Sequence, residues 1–304
     1  MPTNIQKSLI FIAATFLLNY LLIIVYLALG KKWEAPNSVI VSSTYMLVPM
    51  LVTIIVQKFL YRDSLRMLGL SFSLNWWFLV AWLLPGIIAF LSLGINLLVP
   101  NVQYSSDFSG FLNSLKSVVK PEDLQNIKSD ITAIPTPIFI VMNVVQSLIA
   151  GLTINALFAF GEELGWRGML QTQLNSLGFW KSSLIIGLTW GIWHAPLILL
   201  GHNYPQHPKI GVLMMTIFTL LLSPIFAYIK IKSQSVIAIA ILHGTLNAIA
   251  GLPLLFIKGG NDLTNGVTGL AGLITLVAIN ISFLVYDFFL AKQPIMLNSI
   301  SLHR

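Results

Sequence analysis

The feature that most limits the fold is a succession of eight apolar runs: Ser8–Leu29, Val39–Leu60, Trp76–Val99, Pro137–Phe160, Lys181–Leu200, Ile210–Ile229, Ser235–Ile257 and Val267–Leu290. Each is near the ~20 residues that cross ~30 Å of hydrocarbon as a helix. Inside a bilayer every backbone N–H and C=O must be satisfied within the protein, so only helices and closed barrels span it. These runs are continuously apolar rather than alternating, which selects helices. The expected fold is therefore all-α: a polytopic membrane protein with about eight transmembrane helices in one bundle. Composition agrees, since 9% of residues are charged against roughly 25% in soluble domains.

The loops carry the charge. Net charge is +7, with Lys and Arg lying mostly between the apolar runs, a placement that fits anionic lipid as partner rather than nucleic acid. With the N-terminus inside, the inner set is Lys7, Lys58, Arg62, Arg66, Arg167, Lys181, Lys230, Lys232, Lys292 and Arg304. The outer set is Lys31, Lys32, Lys116, Lys120, Lys128, Lys209 and Lys258. The larger inner set places both termini inside. The first run follows Lys7 and exceeds the length of a signal-peptide core, so it reads as a retained span. The chain has no cysteine, which excludes disulfides, a thiol nucleophile and thiolate-bound zinc. No phosphate-binding glycine loop and no inverted repeat of broken helices is visible.

Between the runs, Tyr61–Asn75 reads as a short interfacial helix, with Trp76 and Trp77 at the membrane surface. Pro100–Ile134 is the one sizeable polar stretch, and Lys120-Pro-Glu-Asp123 looks like a helix start. His202 and His207 read as solvated loop residues, and Asp287 as interfacial.

Chemistry concentrates in three segments. The first is Phe160-Gly-Glu-Glu-Leu-Gly-Trp-Arg167. Glu163 and Arg167 are four apart and share a helix face, so they pair. Glu162 lies about 100° round and is left to point elsewhere. The helix is expected to run on to about Leu174. The second is Gly187-Leu-Thr-Trp-Gly-Ile-Trp-His-Ala-Pro196. Gly187 and Gly191 make a close-packing face, His194 looks into the bundle beside it, and Pro196 kinks the helix near His194. The third is Ala240-Ile-Leu-His-Gly-Thr-Leu-Asn247, where His243 and Asn247 share a face and Gly244 with Ala248 give a second small-residue contact.

Ionisable groups inside spans mark function by default. Two carboxylates and two imidazoles in one dry cleft suggest hydrolysis by one of two routes. Glu162 and His194 activate a water while His243 and Asn247 donate to the oxyanion. Alternatively, Glu162, His194 and His243 hold a metal, zinc by chemistry, although the His-Glu-x-x-His arrangement is absent. Two non-proteolytic readings also use the cluster: a membrane immunity or scaffold protein in which it serves packing, and a proton-coupled transporter.

In their order, Glu162-Glu163-x-x-x-Arg167, Trp190-x-x-x-His194 and His243-x-x-x-Asn247 resemble the CPBP family of CAAX-type prenyl endopeptidases and bacteriocin-processing or self-immunity (Abi) proteins. The resemblance covers about Phe160–Ala248. It implies an intramembrane protease acting on a prenylated protein or on a leader or signalling peptide, in a bacterial plasma membrane. It implies Glu162 as general base, His194 as its partner with water, His243 and Asn247 as the oxyanion site, and Glu163 with Arg167 as a brace. Where the family usually has Phe, this chain has Trp190. The implied organisation is residues 1–135 as N-terminal helices and an outer loop, 136–257 as the protease core, and 258–304 as the last helix and tail.

Overall fold

The computed structural model describes residues 3–115 and 121–296. Lys116, Lys120 and Arg304, counted in the charge balance, lie outside the described residues. The chain is an all-helical bundle. Its helices are α1 Thr3–Ala28, α2 Asn37–Ile54, α3 Trp76–Asn96, α4 Ser109–Leu115, α5 Pro121–Thr132, α6 Thr136–Leu152, α7 Ile154–Glu163, α8 Gln171–Leu174, α9 Phe179–Trp193, α10 Ala195–Leu199, α11 Pro208–Ser233, α12 Val236–Ile249, α13 Leu252–Leu255 and α14 Leu270–Phe289. A two-residue antiparallel ladder pairs β1 Gln103–Tyr104 with β2 Ile257–Lys258.

Among the described residues, seven helices are long and apolar enough to cross a membrane, counting α2 with its π-helical end and α9 with α10. An eighth span arises if α5 and α6, bent by 101° to one another, count as one. The protein is thus an integral, multi-pass membrane protein. Leu17, Ile24, Phe59 and Leu98 are among the large apolar side chains left exposed, as a lipid-facing surface requires. The α12–α13 span, which carries His243 and Asn247, is buried deepest at 67%, followed by α11 at 56% and the α9–α10 span at 50%, against 28% of α1.

The structure departs from two expectations. The run Pro137–Phe160 is not one straight span, because Thr153 (φ −120°, ψ −106°) leaves helical geometry and separates α6 from α7. The stretch Tyr61–Asn75 forms only a 3-10 turn, Leu65–Leu68, closed by left-handed Gly69. Its backbone docks instead on the core, where the Val236 N–H donates to the Gly69 carbonyl (2.9 Å). Asp287, near the end of α14, is buried within the protein. It accepts from the Tyr228 hydroxyl (2.8 Å) and from the backbone N–H groups of Ile295 and Met296 (2.8–3.0 Å).

Candidate functional site

α7 runs into a π-helical turn, Leu164–Leu170, before α8, so the helix does continue to Leu174. One-turn π segments occur mostly at functional sites, and this one holds Arg167. The expected pair forms: Arg167 Nη1 donates to both carboxylate oxygens of Glu163 (3.0 and 2.9 Å), with both side chains fully buried. The guanidinium carbon lies 4.4 Å from the Trp190 ring centroid and 4.6 Å from that of Phe226. Two aromatic faces thus stand where Arg167 Nε and Nη2 have no hydrogen-bond acceptor among the described residues, a cation–π arrangement that suits a dry interior.

Glu163 has a second partner that spacing did not reveal. Its Oε1 lies 2.8 Å from His243 Nδ1 on α12. A carboxylate paired to a guanidinium accepts, so Nδ1 carries a proton, and Nε2 faces away from Glu163. His194 is fixed in the same way: its Nδ1 lies 2.8 Å from the Trp190 carbonyl, which can only accept, leaving Nε2 open. Glu162 points away from this pair, as expected, and its Oε2 accepts from the Trp190 indole N–H (2.8 Å). Trp190 therefore touches all three motifs. Its ring centroid lies 5.7 Å from that of His194 and 5.4 Å from that of His243, with Glu162 on its nitrogen.

The proline kink presents His194. α9 ends at Trp193 and α10 begins at Ala195. Pro196 has no N–H for the Ile192 carbonyl and its ring crowds it; the Tyr20 hydroxyl donates there instead (3.1 Å). The Trp193 carbonyl accepts from Tyr45 Oη (2.6 Å). The Trp193 indole donates to Asn19 Oδ1 (2.9 Å), and Asn19 Nδ2 donates to the Tyr45 carbonyl (2.9 Å). Side chains from α1 and α2 thus fasten the bent helix. The small-residue faces do what their spacing predicts. A Cβ on Gly191 would meet Thr216 Cα of α11 at 2.6 Å, and one on Gly244 would meet the Ala156 nitrogen of α7 at 2.6 Å.

Glu162, Trp190, His194, His243 and Asn247 line one cavity of about 290 Å³, walled by Met215, Phe218 and Leu222. His202, Asn203 and Thr268 line it too. His202 is therefore not a solvated loop residue; burial holds its imidazole below the ordinary range. His207 stays partly exposed, and its Nδ1 meets Asp262 Oδ1 at 2.6 Å, tying the loop after α10 to the loop before α14. Glu163 and Arg167 stand behind the cavity wall. Among the described residues no three His, Asp or Glu side chains gather closely enough to hold a metal ion; Glu162, His194 and His243 share the cavity without forming a ligand set.

Fold and cavity together define a multi-pass helical membrane protein with an ionisable site inside its bundle. The segment that carries the site is similar to a known family: residues 139–249 match the family described as Type II CAAX prenyl endopeptidase Rce1-like. The chain is also 43% identical over 44 residues to a CAAX prenyl protease 2 of Methanococcus maripaludis. That alignment covers 14% of this chain and 16% of the archaeal protein.

Proposed function

We propose that the protein is an intramembrane endopeptidase whose core is residues 136–257, and that Glu162 is its general base. The observation that carries this reading is that Glu162, His194, His243 and Asn247 line a single cavity with both imidazoles pinned through Nδ1. Glu162 takes a proton from water as the water attacks a peptide carbonyl, and His194 Nε2 holds that water as an acceptor. The Asn247 amide is a ready donor to the oxyanion. Glu162 then returns the water's proton to the amine as the C–N bond breaks, and His243 in its imidazolium form donates from Nε2 to the oxyanion. Glu163 supports that imidazolium as the carboxylate of a catalytic triad supports its histidine. The Rce1-like match favours a lipidated, CAAX-type C-terminus, and a leader or signalling peptide would need the same chemistry. The Lys and Arg distribution supports a plasma-membrane orientation with both termini cytoplasmic.

The test is proteolysis by purified protein in detergent. A fluorogenic lipidated peptide and a library of unmodified peptides are offered to wild type, to Glu162→Ala and to wild type in excess chelator. Cleavage lost in the variant and kept in chelator supports the glutamate route. Loss in chelator with recovery on adding zinc overturns it in favour of a metal. No cleavage by folded wild type overturns the protease reading and leaves the immunity, scaffold or transporter classes.

A further inference from the structure

Away from the catalytic cavity, a second site lies where α3 starts and α11 and α14 end. A cavity of about 380 Å³ there is lined by Trp77, Lys232, Tyr286, Lys292 and Gln293. Among the described residues no carboxylate lines it. The Trp77 and Tyr286 rings meet edge to face, centroids 5.8 Å apart, and the neighbouring Trp76 is exposed. Paired aromatics at a helix end sit at the depth of lipid headgroups. Lys232 Nζ donates to the Gln293 carbonyl (2.6 Å), which uses one of its three protons and holds the ammonium at the cavity.

Asp287 explains why the cavity has a floor. This buried carboxylate is not part of the peptidase site. Its oxygens are taken by the Tyr228 hydroxyl and by the Ile295 and Met296 N–H groups. The chain after α14 is thereby folded back, and the turn so formed carries Lys292 and Gln293 to Lys232. A negative side chain is committed to building the site rather than to neutralising it. Two lysines lining one cavity with Trp77 and Tyr286, at a helix end beside the polar–apolar boundary, match a phosphodiester with acyl chains attached.

We propose that this cavity binds the headgroup phosphate of an anionic phospholipid. Each lysine near a membrane surface contributes about fivefold in affinity for anionic lipid, so the pair contributes about 30-fold. The test uses full-length protein in mixed micelles. Phosphatidylglycerol and phosphatidylcholine are titrated in turn, with bound lipid read by native mass spectrometry and unfolding by a thermal shift. Wild type is expected to retain phosphatidylglycerol and gain thermal stability from it. The double variant Lys232→Ala/Lys292→Ala is expected to bind it about 30-fold more weakly, and Lys58→Ala, an exposed cation of the same face outside the cavity, to match wild type. Asp287→Asn, which keeps the shape of the side chain, is expected to weaken retention as well. Equal retention by wild type and the double variant overturns the proposal. So does equal binding of phosphatidylcholine. A matching thermal shift with inorganic phosphate alone would mean a small-anion site rather than a lipid site, and overturns it too.

Discussion

The kink at His194 supports a prediction that can be worked through from the geometry. Pro196 leaves the Ile192 carbonyl without its helical donor, and Tyr20 of α1 supplies one at 3.1 Å. The bond lies at the bundle surface, where one hydrogen bond contributes about 0.5–1.5 kcal/mol net. Tyr20→Phe alone should therefore lower stability by about 1 kcal/mol. Pro196→Ala restores an N–H at the position that faces the Ile192 carbonyl, so the Tyr20 hydroxyl becomes redundant. In that background Tyr20→Phe should cost only a few tenths of a kcal/mol, leaving most of that ~1 kcal/mol as coupling energy, above the scatter expected for independent sites. Denaturant unfolding of the four proteins in one detergent measures it. Equal costs of Tyr20→Phe in the two backgrounds would refute the idea that the hydroxyl answers the proline. Pro196→Ala should also cut peptidase activity, because straightening the helix turns His194 away from Glu162.

Other expectations follow from the same contacts. Trp190→Phe keeps the ring but removes the donor to Glu162; kcat should fall about tenfold with KM little changed, as for the loss of one hydrogen bond to a charged group. Glu163→Gln breaks a buried ion pair and the support of His243 together, so about 3–5 kcal/mol of stability should be lost in thermal or denaturant unfolding. Gly191→Ala places a methyl 2.6 Å from Thr216 Cα, and the parting of α9 from α11 should cost about 1–3 kcal/mol by the same measurement. His202 has a folded-state affinity for protons below its unfolded value because it is buried. Below about pH 6.5 the unfolded chain takes up the proton more readily, so stability should decline as pH falls. His202→Gln should flatten that decline.

What the sequence disclosed was whatever is local to one helix. The pairing of Glu163 with Arg167, the kink before Pro196, the Gly187/Gly191 face and the shared face of His243 and Asn247 all follow from helical spacing, and all are present. Contacts between helices far apart in the chain were hidden. Nothing in the spacing of Asn19, Tyr20 and Tyr45 ties them to residues 192 and 193. Each is a lone polar group in an apolar run, and that was the available signal: in a span, such a group has a partner. Asp287 gives the same signal, and its partners are the Tyr228 hydroxyl and the backbone beyond α14. The break at Thr153 carried no glycine or proline to announce it.

The substitution of Trp for Phe at position 190 shows how a local pattern and a tertiary contact combine. Read as a motif, it changes ring size. In the fold, the indole nitrogen reaches Glu162, the ring face covers Arg167 and the backbone carbonyl holds His194. A phenyl ring keeps the second and third of these and loses the first. If Glu162 is the base, the tryptophan fixes which of its oxygens meets water: Oε2 is occupied by the indole, so Oε1 takes the proton. Trp190→Phe frees both oxygens, and the rate should then fall through misorientation while the buried Arg167 and the fold are retained. A variant with full activity and unaltered KM would place the water elsewhere and remove Glu162 Oε1 from the reaction.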